Sequence, residues 1–186
     1  MILNLIIVIA LVWAFMVGYS RGLLLQLIYC VGTVIAALIA GSYYQELAQQ
    51  ISIWVPFSSA TEGSHLLLFS DNLLFQLDEA FYAGASFLII FTLAYVVVRL
   101  IGLFIRITLS PLGKQGKIIA GVLSIATTYF GLQMLLVTLS LVPLATVQSH
   151  IDASGLARLM VLHTPITSDL LQNLFIENIV HINPLA

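Results

Sequence analysis

Hydrophobic positions fall into four long runs, each broken by a short polar interval. The first is Ile2 to Ser20, closed by Arg21-Gly22, and the second opens at Leu23 and reaches about Tyr43. The third starts near Phe81 and continues to Val98 or as far as Ile105, and the fourth goes from Ile118 to about Leu144, with Pro143 at its end. Each has the length of a bilayer-spanning helix, which takes about 20 residues. Clusters such as Ile6-Ile7-Val8-Ile9 and Val96-Val97-Val98 would suit buried strands by residue type. Length excludes strands, which take about 4–8 residues in a core. An open strand edge would also leave its amides unpaired in lipid. The pattern predicts an all-α integral membrane protein with four transmembrane helices, over residues 2–20, 23–43, 81–105 and 118–144.

The first link is very short. A single helix through Tyr19-Ser20-Arg21-Gly22 would hold Arg21 at the bilayer centre, at a cost of at least roughly 2.5–3.5 kcal/mol. A tight hairpin puts Arg21 at the membrane surface, and Gly18 and Gly22 supply the backbone freedom for it. No Lys or Arg precedes Arg21, so the first run lacks the basic start of a secretory signal and is expected to be a retained helix.

Two regions outside the spans are patterned but not polar. Residues 45–80 alternate apolar groups (Ile51, Ile53, Trp54, Leu66 to Phe69, Leu73 to Phe75) with Gln49, Gln50, Asp71, Asn72 and Asp78. They predict short helices in the membrane interface, with Trp54 at headgroup level. Residues 145–186 form an amphipathic helical tail that splits at Pro165. Ser154 is placed to cap a helix from about Gly155 to His163, and Thr167 or Ser168 to cap another from about Asp169 to Ile179. Three placements fit this tail: on the membrane, folded back on the bundle, or in a dimer contact.

Composition agrees with lipid as the main solvent. Of 186 residues 61% are hydrophobic and 8% charged, against about a quarter charged in soluble domains. The net charge of -2 and the absence of a basic run exclude a nucleic-acid footprint. Orientation follows from the six basic residues. Arg21 marks the first link, and Arg106, Lys114 and Lys117 the third; the second carries Glu46, Glu62, Asp71, Asp78 and Glu79. Basic links collect in the cytoplasm, so both termini, the linker 45–80 and the tail are expected outside it.

Few groups carry candidate chemistry. From Phe81 to Arg99 is eighteen steps, about 27 Å at the helix rise, so Arg99 is expected to snorkel to the cytoplasmic headgroups. Its alternative is a place on a polar pathway. Gln133, beside Gly131, is expected to make an interhelical hydrogen bond worth about 0.6–2 kcal/mol, with a polar path again the alternative. Gly32, Ala36 and Ala40 form one small-residue stripe and Gly116, Ala120, Ser124 and Thr128 another. Such stripes admit close helix contacts, so pairing of the two, self-association or docking of other envelope proteins is expected there. Cys30 lies in an apolar run and is expected to pack as a small hydrophobe. Gly84-Ala85-Ser86-Phe87 resembles the serine turn of rhomboid proteases, but His65, His150, His163 and His181 all lie outside the expected spans and cannot activate it. They have no metal-ligand spacing, and Gly113-Lys114-Gln115-Gly116-Lys117 lacks phosphate-loop spacing. No catalytic residue, cofactor or metal is expected.

The chain resembles the colicin V production protein (CvpA) family of small bacterial inner-membrane proteins. The resemblance rests on Gly18-Tyr19-Ser20-Arg21-Gly22, on the run with Gly32, Ala37 and Ala40, and on Gly116-Lys117-Ile118-Ile119-Ala120-Gly121. The tail Ser154-Gly155-Leu156-Ala157, followed by His163-Thr164-Pro165, looks like those of Gram-positive members. Asn4 stands where members often carry an acid, and Ser124 and Thr128 where they often carry glycine. The resemblance makes Arg21, Gly22 and Gly121 candidate motif positions, beside the intramembrane polar candidates Arg99 and Gln133. It implies an accessory or scaffold role in toxin production or export and in envelope homeostasis, in the bacterial cell membrane. A small oligomeric channel or transporter is the alternative.

Overall fold

A computed structural model describes residues 2–57, 66–69, 71–108 and 114–180. Met1, residues 58–65, 70, 109–113 and 181–186 lie outside them; Glu62, His65, Gly113 and His181 of the sequence reading fall there. The described elements are all helical: α1 (Ile2–Arg21), α2 (Leu23–Trp54), a 3-10 turn (Asp71–Gln76), α3 (Leu77–Thr108), α4 (Lys114–Ser140), α5 (Ala145–Asp152), α6 (Gly155–Leu162), α7 (Thr167–Gln172), a π-turn (Asn173–Glu177) and α8 (Asn178–Val180). Four of them, Ile2–Arg21, Leu23–Trp54, Leu77–Ile105 and Gln115–Ser140, are long and apolar enough to cross a membrane. Their outward faces are apolar: Leu5, Val12, Val31, Leu38, Leu93, Val97 and Phe104 are all exposed. Patches of that extent are tolerated in lipid and not in water.

The bundle is built from two antiparallel pairs, α1 on α4 and α2 on α3. The turn between α1 and α2 occupies one residue. Gly22 has φ 84° and ψ 167°, a region open essentially to glycine alone. Its N–H still donates to Gly18 O and its carbonyl still accepts from Gln26 N, each at 3.2 Å. Both helices therefore keep their hydrogen bonds up to the break.

Glycines set the closeness of the helices. A Cβ on Gly18 would come 2.6 Å from the Ala120 carbonyl oxygen, and one on Gly121 would come 2.5 Å from the Phe15 ring. On the other pair, Gly32 faces Val98 and Gly102 faces Tyr29. The two small-residue stripes therefore do not meet at these positions: Gly32 is spent on α3, and Ala120 and Ser124 on α1. Cys30 is half-buried, its Sγ 4.0 Å from Leu123 O.

Helix limits differ from the hydrophobic runs. α2 continues past Tyr43 to Trp54 because Gln45, Glu46, Gln49 and Gln50 are good helix formers that end the apolar run without ending the helix. Residues 45–54 thus belong to α2 and not to a separate interfacial helix, and Ile53 and Trp54 stand exposed at its far end. α3 starts at Leu77, before Phe81, with Asp78 and Glu79 in its first turn, where acids complement the helix dipole. α4 covers Lys114–Ser140 and not 118–144, ending ahead of Pro143, which disfavours helical backbone at Val142.

The tail folds back on the bundle at the end that holds Asn4. Ser154 caps α6, its hydroxyl accepting from Ala157 N. Neither Thr167 nor Ser168 caps α7; Ile166 does, with φ 71°, in a γ-turn closed by Thr167 N to Pro165 O at 2.8 Å. Ser168 instead turns inward and donates to Val161 O. α5 was not separately expected. Met160, Val161, Leu171, Phe175 and Ile176 are buried with Leu68, Leu73, Phe87 and Val137 in one core. Phe175 packs edge-on against Phe87 at 5.2 Å between ring centroids.

Candidate functional site

The polar candidates part into two places. Arg21 and Arg99 converge on one aromatic ring at the end of the bundle where α1 turns into α2. The Arg21 guanidinium carbon lies 5.1 Å from the Tyr29 centroid and that of Arg99 5.0 Å, so the two are within about 10 Å of each other, the sum of those distances. Arg99 also lies 5.7 Å from the ring of Tyr95, one turn earlier on the same face of α3. Guanidinium on an aromatic face is worth roughly 0.5–2 kcal/mol, more when desolvated. Two like charges at 10 Å repel by roughly 1.5–2 kcal/mol at an effective dielectric of about 20. The ring contacts offset part of that repulsion.

Both arginines line a groove of about 560 Å³ that opens sideways between α1 and α3. Ile6, Ile9, Trp13 and Val17 form its α1 wall, with Arg21 at the end; Tyr95 and Arg99 form the α3 wall; Ser124, Thr127 and Thr128 on α4 form the floor. A hollow of about 260 Å³, lined by Thr33, Phe91, Gly131 and Leu132, adjoins it at Tyr95, Thr127 and Thr128. A Cβ on Gly131 would meet nothing within 4 Å.

Gln133 is elsewhere. Because α4 begins and ends earlier than its apolar run, this residue lies in the last third of the helix and not at its middle. It is fully buried and its amide donates to Met160 O on α6 at 2.7 Å. Nearby, Tyr129 OH and Thr164 Oγ1 are 2.6 Å apart. From α1, Asn4 Oδ1 accepts from the Ser154 hydroxyl and from Leu156 N–H, the latter at 3.2 Å. A carboxylate at Asn4 would accept the same two bonds, at a helix start that favours negative charge. Gln148 of α5 donates to Ser140 O at 2.7 Å and Val142 O at 3.0 Å and accepts from Leu67 N at 3.2 Å.

Gly22 and Gly121 have places in the backbone and not in a binding surface: the one makes the turn, the other seats Phe15. The sequence reading passed over Tyr29, Tyr95 and Gln148, and named Asn4 only as standing where family members often carry an acid. The four-residue spacing of Tyr95 and Arg99, which puts them on one helix face, was the available signal for one of them. Among the described residues no group of three or more His, Cys, Asp or Glu side chains comes together.

Comparison with known proteins finds no match among solved structures. An "uncharacterized transmembrane protein YshB" of Bacillus subtilis (strain 168) is 29% identical over 177 residues, covering 94% of this chain and 98% of its own. The profile of the Colicin V production protein family matches residues 3–165, which takes in the Gly22 turn, the groove and the Asn4 clamp alike. The chain is a multi-pass membrane protein and a member of the Colicin V production protein family.

Proposed function

We propose that this chain is a membrane scaffold, accessory to the production or export of a peptide toxin and to upkeep of the envelope, with its tail end outside the cytoplasm. The toxin link comes from the family description. The scaffold reading rests on how the bundle is filled at the tail end. Ala36, Ala40, Phe87, Met134 and Val137 are fully buried there, and Gln133 is committed to Met160. A pore requires polar lining along its length, whereas the α1 wall of the groove beyond Arg21 is the apolar series Ile6, Ile9, Trp13 and Val17. The reading assigns no catalytic role.

Liposome flux tests it. Wild-type protein and Gln133→Leu are both expected to leave vesicles tight to small ions and solutes. The variant should fold almost as stably as wild type, since a membrane hydrogen bond averages about 0.6 kcal/mol. Met160 O keeps a second donor in Thr164, at 3.1 Å, and the buried Gln133 Oε1, which accepts no hydrogen bond from the described residues, is removed. Robust wild-type leakage that disappears in Gln133→Leu would favour the channel and sink the scaffold.

Orientation has its own measurement. Arg21, Arg99 and Lys117 gather at one end and Asp78 and Glu79 at the other, so the basic end is assigned to the cytoplasm. In a background with Cys30 replaced by alanine, a cysteine at exposed Ser52 should react with an impermeant maleimide in intact cells. One at exposed Gln115 should react only after lysis. The opposite pattern would invert the topology.

A further inference from the structure

We propose that the groove between α1 and α3 is a binding site for one anionic phospholipid, its phosphate held at Arg99 with Arg21 alongside and an acyl chain laid against α1. This goes beyond the scaffold reading and does not depend on it.

Shape argues for a lipid. The apolar wall from Ile6 to Arg21 is about 22 Å long at the helix rise. Along that length the groove presents the apolar side chains of one face of α1, Ile6, Ile9, Ala10, Trp13, Ala14 and Val17, a strip on which an extended hydrocarbon chain can lie. The adjoining hollow at Gly131 offers room for part of a second chain. Charge argues for an anionic one. Two guanidinium groups line the basic end of the groove and no carboxylate does among the described residues. Guanidinium matches the fork geometry of a phosphate oxygen pair. Depth agrees as well. Gly32 of α2 sits beside Val98, the residue before Arg99, and Tyr29 beside Gly102. Arg99 therefore lies about two and a half turns of α2 in from Gly22, from where a long side chain can extend toward the headgroup boundary. Thr127 and Thr128 line the same groove as the arginines.

The test is native mass spectrometry of the full chain, released from mixed micelles containing equal phosphatidylglycerol and phosphatidylcholine. Wild type is expected to retain one phosphatidylglycerol in preference, by roughly tenfold, the size of one charge-assisted contact. Arg99→Gln should abolish the preference and Arg99→Lys should keep part of it. Ala10→Phe, which fills the groove without touching the charge, should lower retention of both lipids. Arg99→Lys and Ala10→Phe keep the proposal falsifiable if Arg99→Gln does not fold. Equal retention of the two lipids by wild type overturns it, as does a preference untouched by every variant. Displacement of the lipid by millimolar glycerol 3-phosphate would mean a soluble phosphate ester is the ligand and overturn the lipid assignment. Co-retention of a second copy of the chain in place of lipid, lost in Ala10→Phe, would overturn it in favour of a helix contact.

Discussion

Gly18→Leu is expected to abolish the docking of α1 on α4 while leaving both helices inserted. The side chain would have to enter where even a Cβ lies 2.6 Å from the Ala120 carbonyl oxygen. That oxygen belongs to helix backbone and cannot rotate away, so the helices must separate along their length. Overpacking a well-fitted core costs roughly 1–3 kcal/mol and occasionally more; a backbone collision belongs at the upper end. Separation also forfeits the contact of Phe15 with Gly121, one turn away on the same seam. In lipid no hydrophobic gain drives the helices back together, because the tails are as apolar as leucine. Thermal unfolding in detergent should fall by roughly 6–12 °C, which is what about 3 kcal/mol does to a domain this size. Gly131→Ala is the matched control. Its Cβ meets open space, and alanine in a helix is favoured over glycine by roughly 0.5–1 kcal/mol, so it should unfold no lower than wild type. Equal behaviour of the two variants would discard the account of the α1–α4 seam.

Gln148→Leu should release the tail. The amide of Gln148 is buried and fully used: two donors on the carbonyls of Ser140 and Val142, and its oxygen on Leu67 N–H. Those carbonyls belong to the end of α4 and the turn that follows it, where the helix cannot pair its last carbonyls itself. Leucine has the volume and none of the bonds. Leaving a buried polar group unpaired costs about 1–3 kcal/mol, and three groups lose their partner at once, so roughly 3 kcal/mol or more is expected. Limited proteolysis should then cut between α4 and α7 while the four long helices survive. Gln148→Glu should not rescue, because a carboxylate cannot donate to the two carbonyls. Wild-type resistance in Gln148→Leu would mean that the apolar core around Phe175 fixes the tail without help.

The long helices were readable because lipid imposes a length and an apolar composition that few other structures satisfy. The one-residue turn was readable too, since Arg21 and Gly22 break an otherwise continuous run. Less was available where helices leave the apolar stretch: Gln45 to Gln50 look like linker on a hydropathy scale yet extend α2 by a further three turns or so. Pairing of stripes misled for a related reason. Small residues announce a close contact but not its partner, and Gly32 and Ala120 found different ones. Arg21 and Arg99 were each singled out from the sequence. Their meeting across Tyr29 depends on the packing of α2 against α3, which joins residues far apart in the chain. Asn4 was marked only through the family resemblance and Gln148 not at all, since a single amide in an apolar context gains meaning only from the orphaned groups it faces.

The clamp of Asn4 on Ser154 and Leu156 sets an order of events in biogenesis. Asn4 emerges from the ribosome well before its partner Ser154, which follows 150 positions later. At about 5–20 residues per second, α1 waits roughly 8–30 s with that amide unsatisfied, or served by water, before the tail can close on it. For most of that interval α4 is not yet made, since it begins at Lys114, so α1 is held in the membrane by its own apolar length until α4 arrives. Because α4 emerges ahead of Ser154, the glycine seam between α1 and α4 is free to form before the clamp, which then ties α1 to the tail.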